Sequence, residues 1–185
     1  MADPALRHLI EMRHNTNKCT IIRRRMNAED LLTLVRYHAW ANERILAAAE
    51  CLSDEELRRP GTLDHGSVFD TLRHLVDADW SWREVCIGHD AWETYVWDQG
   101  FVLDDLVSIR TFCREEDARL VAYVEGLDEA ALAERLSPPA SCTRWVSIAH
   151  VVNHGTQHRS ELARYLTDCG HSPGELGLLT MLDLA

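Results

Sequence analysis

The amino-acid sequence predicts an all-α protein, a four-helix bundle with short accessory helices. Three observations predict it. Apolar residues recur every three or four positions in four long stretches, polar caps or glycines bound those stretches, and there is neither convincing β-type alternation nor an internal repeat. A chain of 185 residues with 46% hydrophobic content and six Trp can bury one core that needs no crosslinks.

The first 25 residues stand apart. They hold six basic residues (Arg7, Arg13, Lys18, Arg23, Arg24, Arg25) against two acidic ones (Asp3, Glu11), so they carry a net +4 and the remainder −15. Residues 1–25 therefore read as a loosely attached basic extension, with a targeting arm or phosphate-binding tail as the alternative, and residues 26–185 as the bundle domain. No apolar run follows the basic residues, so a secretory signal is not expected, and no stretch is long enough to span a bilayer. Met26 opens the ordered pattern and is an alternative translation start to Met1.

The first long helix begins at Asn27, an N-cap with Asp30 three residues later, and carries Leu31, Leu34, Val35, His38, Ala41, Ile45, Leu46 and Ala49 until about Cys51. Ser53 to Leu57 reads as a short capped turn ended by Pro60, and Gly61 to Gly66 as a loop. Ser67 caps the second long helix, whose apolar stripe (Val68, Leu72, Leu75, Val76, Trp80, Val85) stops near Gly88. From His89 to Gly100 there is no clear period, and the stretch reads as a loop anchored by Trp92, Tyr95 and Trp97. A third helix is expected from about Leu103 to Glu125, a short one from Asp128 to Leu136, and a fourth long one from about Trp145 to Asp168, closed by Cys169-Gly170. Leu178, Leu179, Met181 and Leu182 in the tail could pack back on the bundle.

Charge and cysteine usage exclude several classes. Thirty acidic residues against nineteen basic ones give −11, which argues against general binding to nucleic acid. Six scattered cysteines with no C-x-x-C pair fit reduced thiols in a cytoplasmic protein, not a disulfide scaffold or a cysteine zinc ribbon.

The segment His150-Val-Val-Asn-His-Gly-Thr-Gln-His158-Arg carries the most chemical information. Residues four apart on a helix lie one turn above each other, so His154 and His158 can chelate one ion. With ten histidines in the chain, such a pair also arises by chance. His74 lies beside the apolar stripe of the second helix, where an unpaired imidazole is costly to bury; the alternative there is a core histidine bonded to a carboxylate or carbonyl. If the second and fourth helices are neighbours, the three imidazoles supply three nitrogens and leave a position open, the arrangement of a catalytic site.

Three segments resemble the damage-inducible DinB and YfiT-like four-helix bundle proteins. They are Arg36-Tyr-His-Ala-Trp-Ala-Asn42-Glu-Arg-Ile-Leu46, then Gly66-Ser67 before Leu72-Arg-His74-Leu-Val-Asp-Ala-Asp79, then Val152-Asn-His154-Gly-Thr-Gln-His158-Arg159. The resemblance runs from about Met26 to the C-terminus. It implies a divalent metal, commonly nickel or zinc, held by His74, His154 and His158, and it implies a homodimer. Gln157 stands where the family pattern often has His, outside the ligand pair. Iron and copper also suit three imidazoles and water.

Other residues fall around this expected site. His150 and His38 are rival ligands read as supporting or core residues; Asn42 and Asp77 are candidate hydrogen-bond partners for ligand imidazoles. Glu161 is the nearest spare carboxylate, and Arg159 is read either as holding an anionic substrate or as balancing the acidic surface. The resemblance implies a metal-dependent enzyme without fixing its reaction; because some relatives are thiol S-transferases, the first reading is transfer that uses a low-molecular-weight thiol. A metal-dependent hydrolase is the second reading, weakened because Gly155 follows His154 where H-E-x-x-H enzymes have a Glu base. A non-catalytic metal-binding or interaction protein is the third.

Overall fold

In the computed structural model of the protein the described residues are 26–184, apart from 90, 92, 93 and 139. The basic extension, Cys19 and the Trp92 anchor lie outside them. The chain forms α1 (Ala28–Ala49), α2 (Asp54–Arg58), α3 (Val68–Ile87), α4 (Leu106–Glu125), α5 (Glu129–Ala133), α6 (Arg144–Asp168) and α7 (Leu178–Met181), with a 3-10 turn at Val96–Gln99. The described residues contain no strand, only an isolated bridge between Arg135 and Thr143.

Local hydrogen bonds set the helix starts. Asn27 Oδ1 accepts the Asp30 N–H at 2.8 Å while the Asp30 carboxylate accepts the Asn27 N–H at 3.3 Å, a reciprocal cap for α1. Ser67 Oγ accepts the Asp70 N–H at 3.0 Å and starts α3. α4 begins three residues beyond Leu103 because Asp105 caps it, accepting the Ser108 N–H at 2.7 Å. Leu103 is buried ahead of the helix instead. α5 is shorter than the 128–136 expected: Asp128 is its cap, and the backbone turns extended at Glu134. The 89–100 connection carries the 3-10 turn, and the buried Val96 at its start donates its N–H to Asp77 Oδ1 at 2.7 Å. Arg44 Nη2 donates to the Pro173 carbonyl at 2.8 Å and ties the tail to α1, although Leu179 and Leu182 stay exposed.

The four long helices pack as a square in which α1 and α3 each lie against both α4 and α6. The connections 50–67 and 126–143 therefore cross diagonals of the bundle, and each carries a short helix. The consequence for function is that α3 and α6, which bear His74 and the His154/His158 pair, are neighbours.

The core divides into two apolar halves. One contains Ile45, Leu72, Leu75, Val76, Ile109 and Leu162; the other contains Leu31, Val35, Leu120, Val124, Ile148 and Val151. Each long helix contributes apolar residues to both halves and buried polar residues to the layer between them: His38 and Asn42 from α1, Asp79 from α3, Glu116 from α4, and His158 and Arg159 from α6. A buried apolar side chain stabilises by about 1.5–3 kcal/mol, so a polar layer at mid-bundle gives up that gain and survives only where its members pair with each other.

Candidate metal centre

The side chains of His74, His154 and His158 meet between α3 and α6. Ring centroids are 4.6 Å apart for His154 and His158, 4.9 Å for His74 and His158, and 5.1 Å for His74 and His154. The Nε2 atoms of His74 and His154 are 3.1 Å apart. Two imidazoles bound at about 2.0 Å to one tetrahedral ion have nitrogens about 3.3 Å apart, so this spacing suits a shared ion as well as a single hydrogen bond. Nδ1 of His154 and Nδ1 of His158 are buried without a hydrogen-bond partner, which fits a donor set that lacks an internal partner. Burial, reinforced by the neighbouring imidazoles, pulls His74 and His154 down to about 4. Both are neutral near pH 7, the form whose lone pair can bind a cation.

A fourth imidazole joins them, which the sequence reasoning missed. His65 stacks on His74 with centroids 3.8 Å apart and lies 5.1 Å from His158. One ligand atom from each of His65, His74 and His158 falls within 4.8 Å of the other two, a group that could hold a metal ion. His154 lies outside this group of three and touches it through the 3.1 Å contact of its Nε2 with His74 Nε2. His65 sits in the 61–66 loop, where no periodicity betrays which way a side chain faces; its place just before the Ser67 cap was the one available signal. Glu161 Oε2 lies 3.6 Å from His158 Nδ1 and is buried without a hydrogen bond, so the expected spare carboxylate does lie beside this cluster.

The other expected supporting residues lie elsewhere. Asp77 is engaged with the Val96 N–H, so it anchors the 89–100 connection and orients no ligand ring. Asn42 donates to Asp117 Oδ1 at 3.1 Å and accepts from Arg159 Nη1 at 2.7 Å. His150 is exposed, with its ring 4.7 Å from Trp82 and 6.0 Å from His154. Arg159 neither faces solvent nor waits for a substrate anion, since it is 2% exposed and its guanidinium is consumed by His38, Asn42 and Thr156.

These corrections define a second cluster, in the polar layer of the core. Arg159 Nη1 donates to His38 Nδ1 at 3.0 Å, so His38 carries its proton on Nε2 and donates it to Asp79 Oδ2 at 2.9 Å. Burial raises the Asp117 carboxyl to about 6, an effect the Asp79 carboxylate adds to and His38 opposes. Burial also pulls the Arg159 guanidinium below its ordinary value while Asp79 and Asp117 push it back up. His38, Asp79 and Asp117 are a second group whose ligand atoms could hold a metal ion. Here, however, the Arg159 cation already acts electrostatically with both carboxylates, and His38 Nδ1 is occupied.

Gly155 makes this arrangement possible. A Cβ there would lie 2.5 Å from both Arg159 Nη1 and His38 Cε1, closer than any non-bonded contact permits, and His38 is buried with no room to yield. Gly155→Ala is expected to destabilise the fold by about 1–3 kcal/mol in urea unfolding; an unchanged midpoint would contradict the packing described.

The five described cysteines (Cys51, Cys86, Cys113, Cys142, Cys169) are free thiols. Burial pushes Cys86 up to about 12 and Cys113 well above its ordinary value, so neither is a thiolate nucleophile near neutral pH. Among the described residues no helix is long and apolar enough to cross a membrane. A family model described as the DinB family matches residues 16–185, its start falling inside the basic segment. No curated protein matches the chain.

Proposed function

The chain belongs to the DinB family, and on that premise we propose that it is a divalent-metal-dependent enzyme of thiol S-transferase type, using zinc or nickel at His74, His154 and His158. The observation that carries this reading is the convergence of imidazoles from α3 and α6, with two Nε2 atoms 3.1 Å apart and buried ring nitrogens lacking partners. When bound, a divalent ion supplies a Lewis acid able to keep a substrate thiol deprotonated near neutral pH. The chain's own residues do the rest. The depressed His74 and His154 stay neutral as ligands, and Glu161 places a carboxylate 3.6 Å from His158 Nδ1, a negative charge beside the site that favours a bound cation. The buried Cys86 and Cys113 are too strongly protonated to compete, and this reading assigns the attacking sulfur to a small-molecule thiol.

A hydrolase is the second reading, favoured by one observation: Glu161 Oε2 is buried, unpartnered and adjacent to the cluster, the position of a base that could take a proton from water. The test is metal analysis of the purified protein followed by two assay panels, small thiols with a model electrophile and simple esters and amides. The expected result is thiol conjugation that is lost on chelation and restored by zinc or nickel. Ester or amide turnover alone would transfer the assignment to hydrolysis, and stoichiometric metal with no turnover in either panel would leave a metal-binding protein that is not an enzyme.

A further inference from the structure

The 61–66 loop is built to hold one side chain over the histidine cluster. The Gly61 N–H donates to the Gly66 carbonyl at 2.6 Å and the Gly66 N–H to the Leu63 carbonyl at 2.8 Å, so the loop closes on itself. Leu63 is buried and pins it to the core, while Gly66 takes φ +87°, a left-handed conformation that a side chain would resist. Ser67 then caps α3 and is itself buried. Between these fixed points the His65 ring lies beside His74, and one ring nitrogen each of His65, His74 and His158 falls within 4.8 Å of the other two. Of the four imidazoles it is the most exposed. It is also the only one of the four carried on a loop rather than a long helix.

We infer that His65 is a fourth metal ligand, delivered by the 61–66 loop to the coordination position that an incoming substrate must claim. This rests on the metal site proposed above and adds its control. His74, His154 and His158 are carried on two packed helices, whereas His65 is carried on a short loop anchored to the core through Leu63. The helix-borne three stay in place while the loop-borne ligand is the one that can leave. With a metal bound, His65, His74, His154 and His158 would fill four positions, and His65 would be the ligand that a substrate sulfur displaces, the three helix-borne imidazoles being kept.

The test uses Co2+ as the metal probe in the full chain, read by visible absorption, since tetrahedral Co2+ absorbs far more strongly than octahedral Co2+. Wild type is expected to give the intense spectrum. His65→Ala is expected to give a weaker one, with Co2+ affinity lower by at least about tenfold, and to show a sulfur-to-cobalt charge-transfer band at a lower 2-mercaptoethanol concentration than wild type. His65 is at the surface, and an unchanged thermal melt of the metal-free variant confirms that it folds. A His65→Ala protein with wild-type affinity, spectrum and thiol requirement overturns the inference while the three-histidine site stands. No Co2+ binding by wild type overturns both.

Discussion

Exchanging both His154 and His158 for Ala is expected to abolish stoichiometric metal binding. The loss of an outer hydrogen-bond partner costs about 10–100-fold in metal affinity, and a direct ligand is worth more, so removing two should lower affinity by at least about a thousandfold. The fold should survive. His154 is half-buried and His158 buried, and their Nδ1 atoms have no hydrogen bonds to lose. The signature is therefore a difference in linkage. A metal at a hundred times its Kd stabilises by about 2.7 kcal/mol, and this increment should appear in wild-type melts and be missing from the double variant, whose metal-free melt stays near that of wild type. His150→Ala is the matched control, because its ring rests against Trp82 and should leave metal content unchanged. Metal retained by the double variant would remove α6 from the site.

How much of this was legible depended on whether a residue's role follows from the helical period. His154 and His158 lie on a long helix, where spacing fixes that they share a face, and His74 meets them because its helix is their neighbour. Helix existence was equally readable, and the one shifted start, at Leu106, reflects an Asp105 cap that competes with the apolar Leu103 for the boundary. His65 was not readable, because a closed loop aims its side chains through backbone bonds such as Gly61 to Gly66 that no periodicity encodes. Nor was the role of Arg159. A long cation next to a histidine pair suggests a solvent-facing or substrate-facing group, and only the square packing of the helices brings Asp79, Asn42 and Asp117 from three other helices around it. Asp77 and Asp79 illustrate the same limit: two residues apart on α3, one holds the 89–100 connection and the other the central network.

Arg159→Met is expected to destabilise the fold by about 3–5 kcal/mol, the range for removing one partner of a buried charge cluster. Methionine nearly matches the arginine stem in volume, so the loss is electrostatic and not a cavity. Without the guanidinium, Asp79 and Asp117 face each other across His38 with no compensating cation, and His38 Nδ1 and Asn42 Oδ1 lose their donor. The sign of the accompanying pH dependence follows. Asp117 already sits near 6 in the wild type, above the ordinary aspartate value, and removing a nearby cation moves a carboxyl further up. The native state then binds more protons than the unfolded chain between those two values, so stability rises as pH falls through the window. The deficit of Arg159→Met relative to wild type should therefore be largest near pH 7 and shrink toward pH 5. Adding Asp117→Asn should recover part of it at pH 7, because one of the two uncompensated carboxylates is gone. A urea midpoint for Arg159→Met within about 1 kcal/mol of wild type at pH 7, the scale of a surface ion pair, would mean that the guanidinium is not the cation on which the polar layer of the core depends.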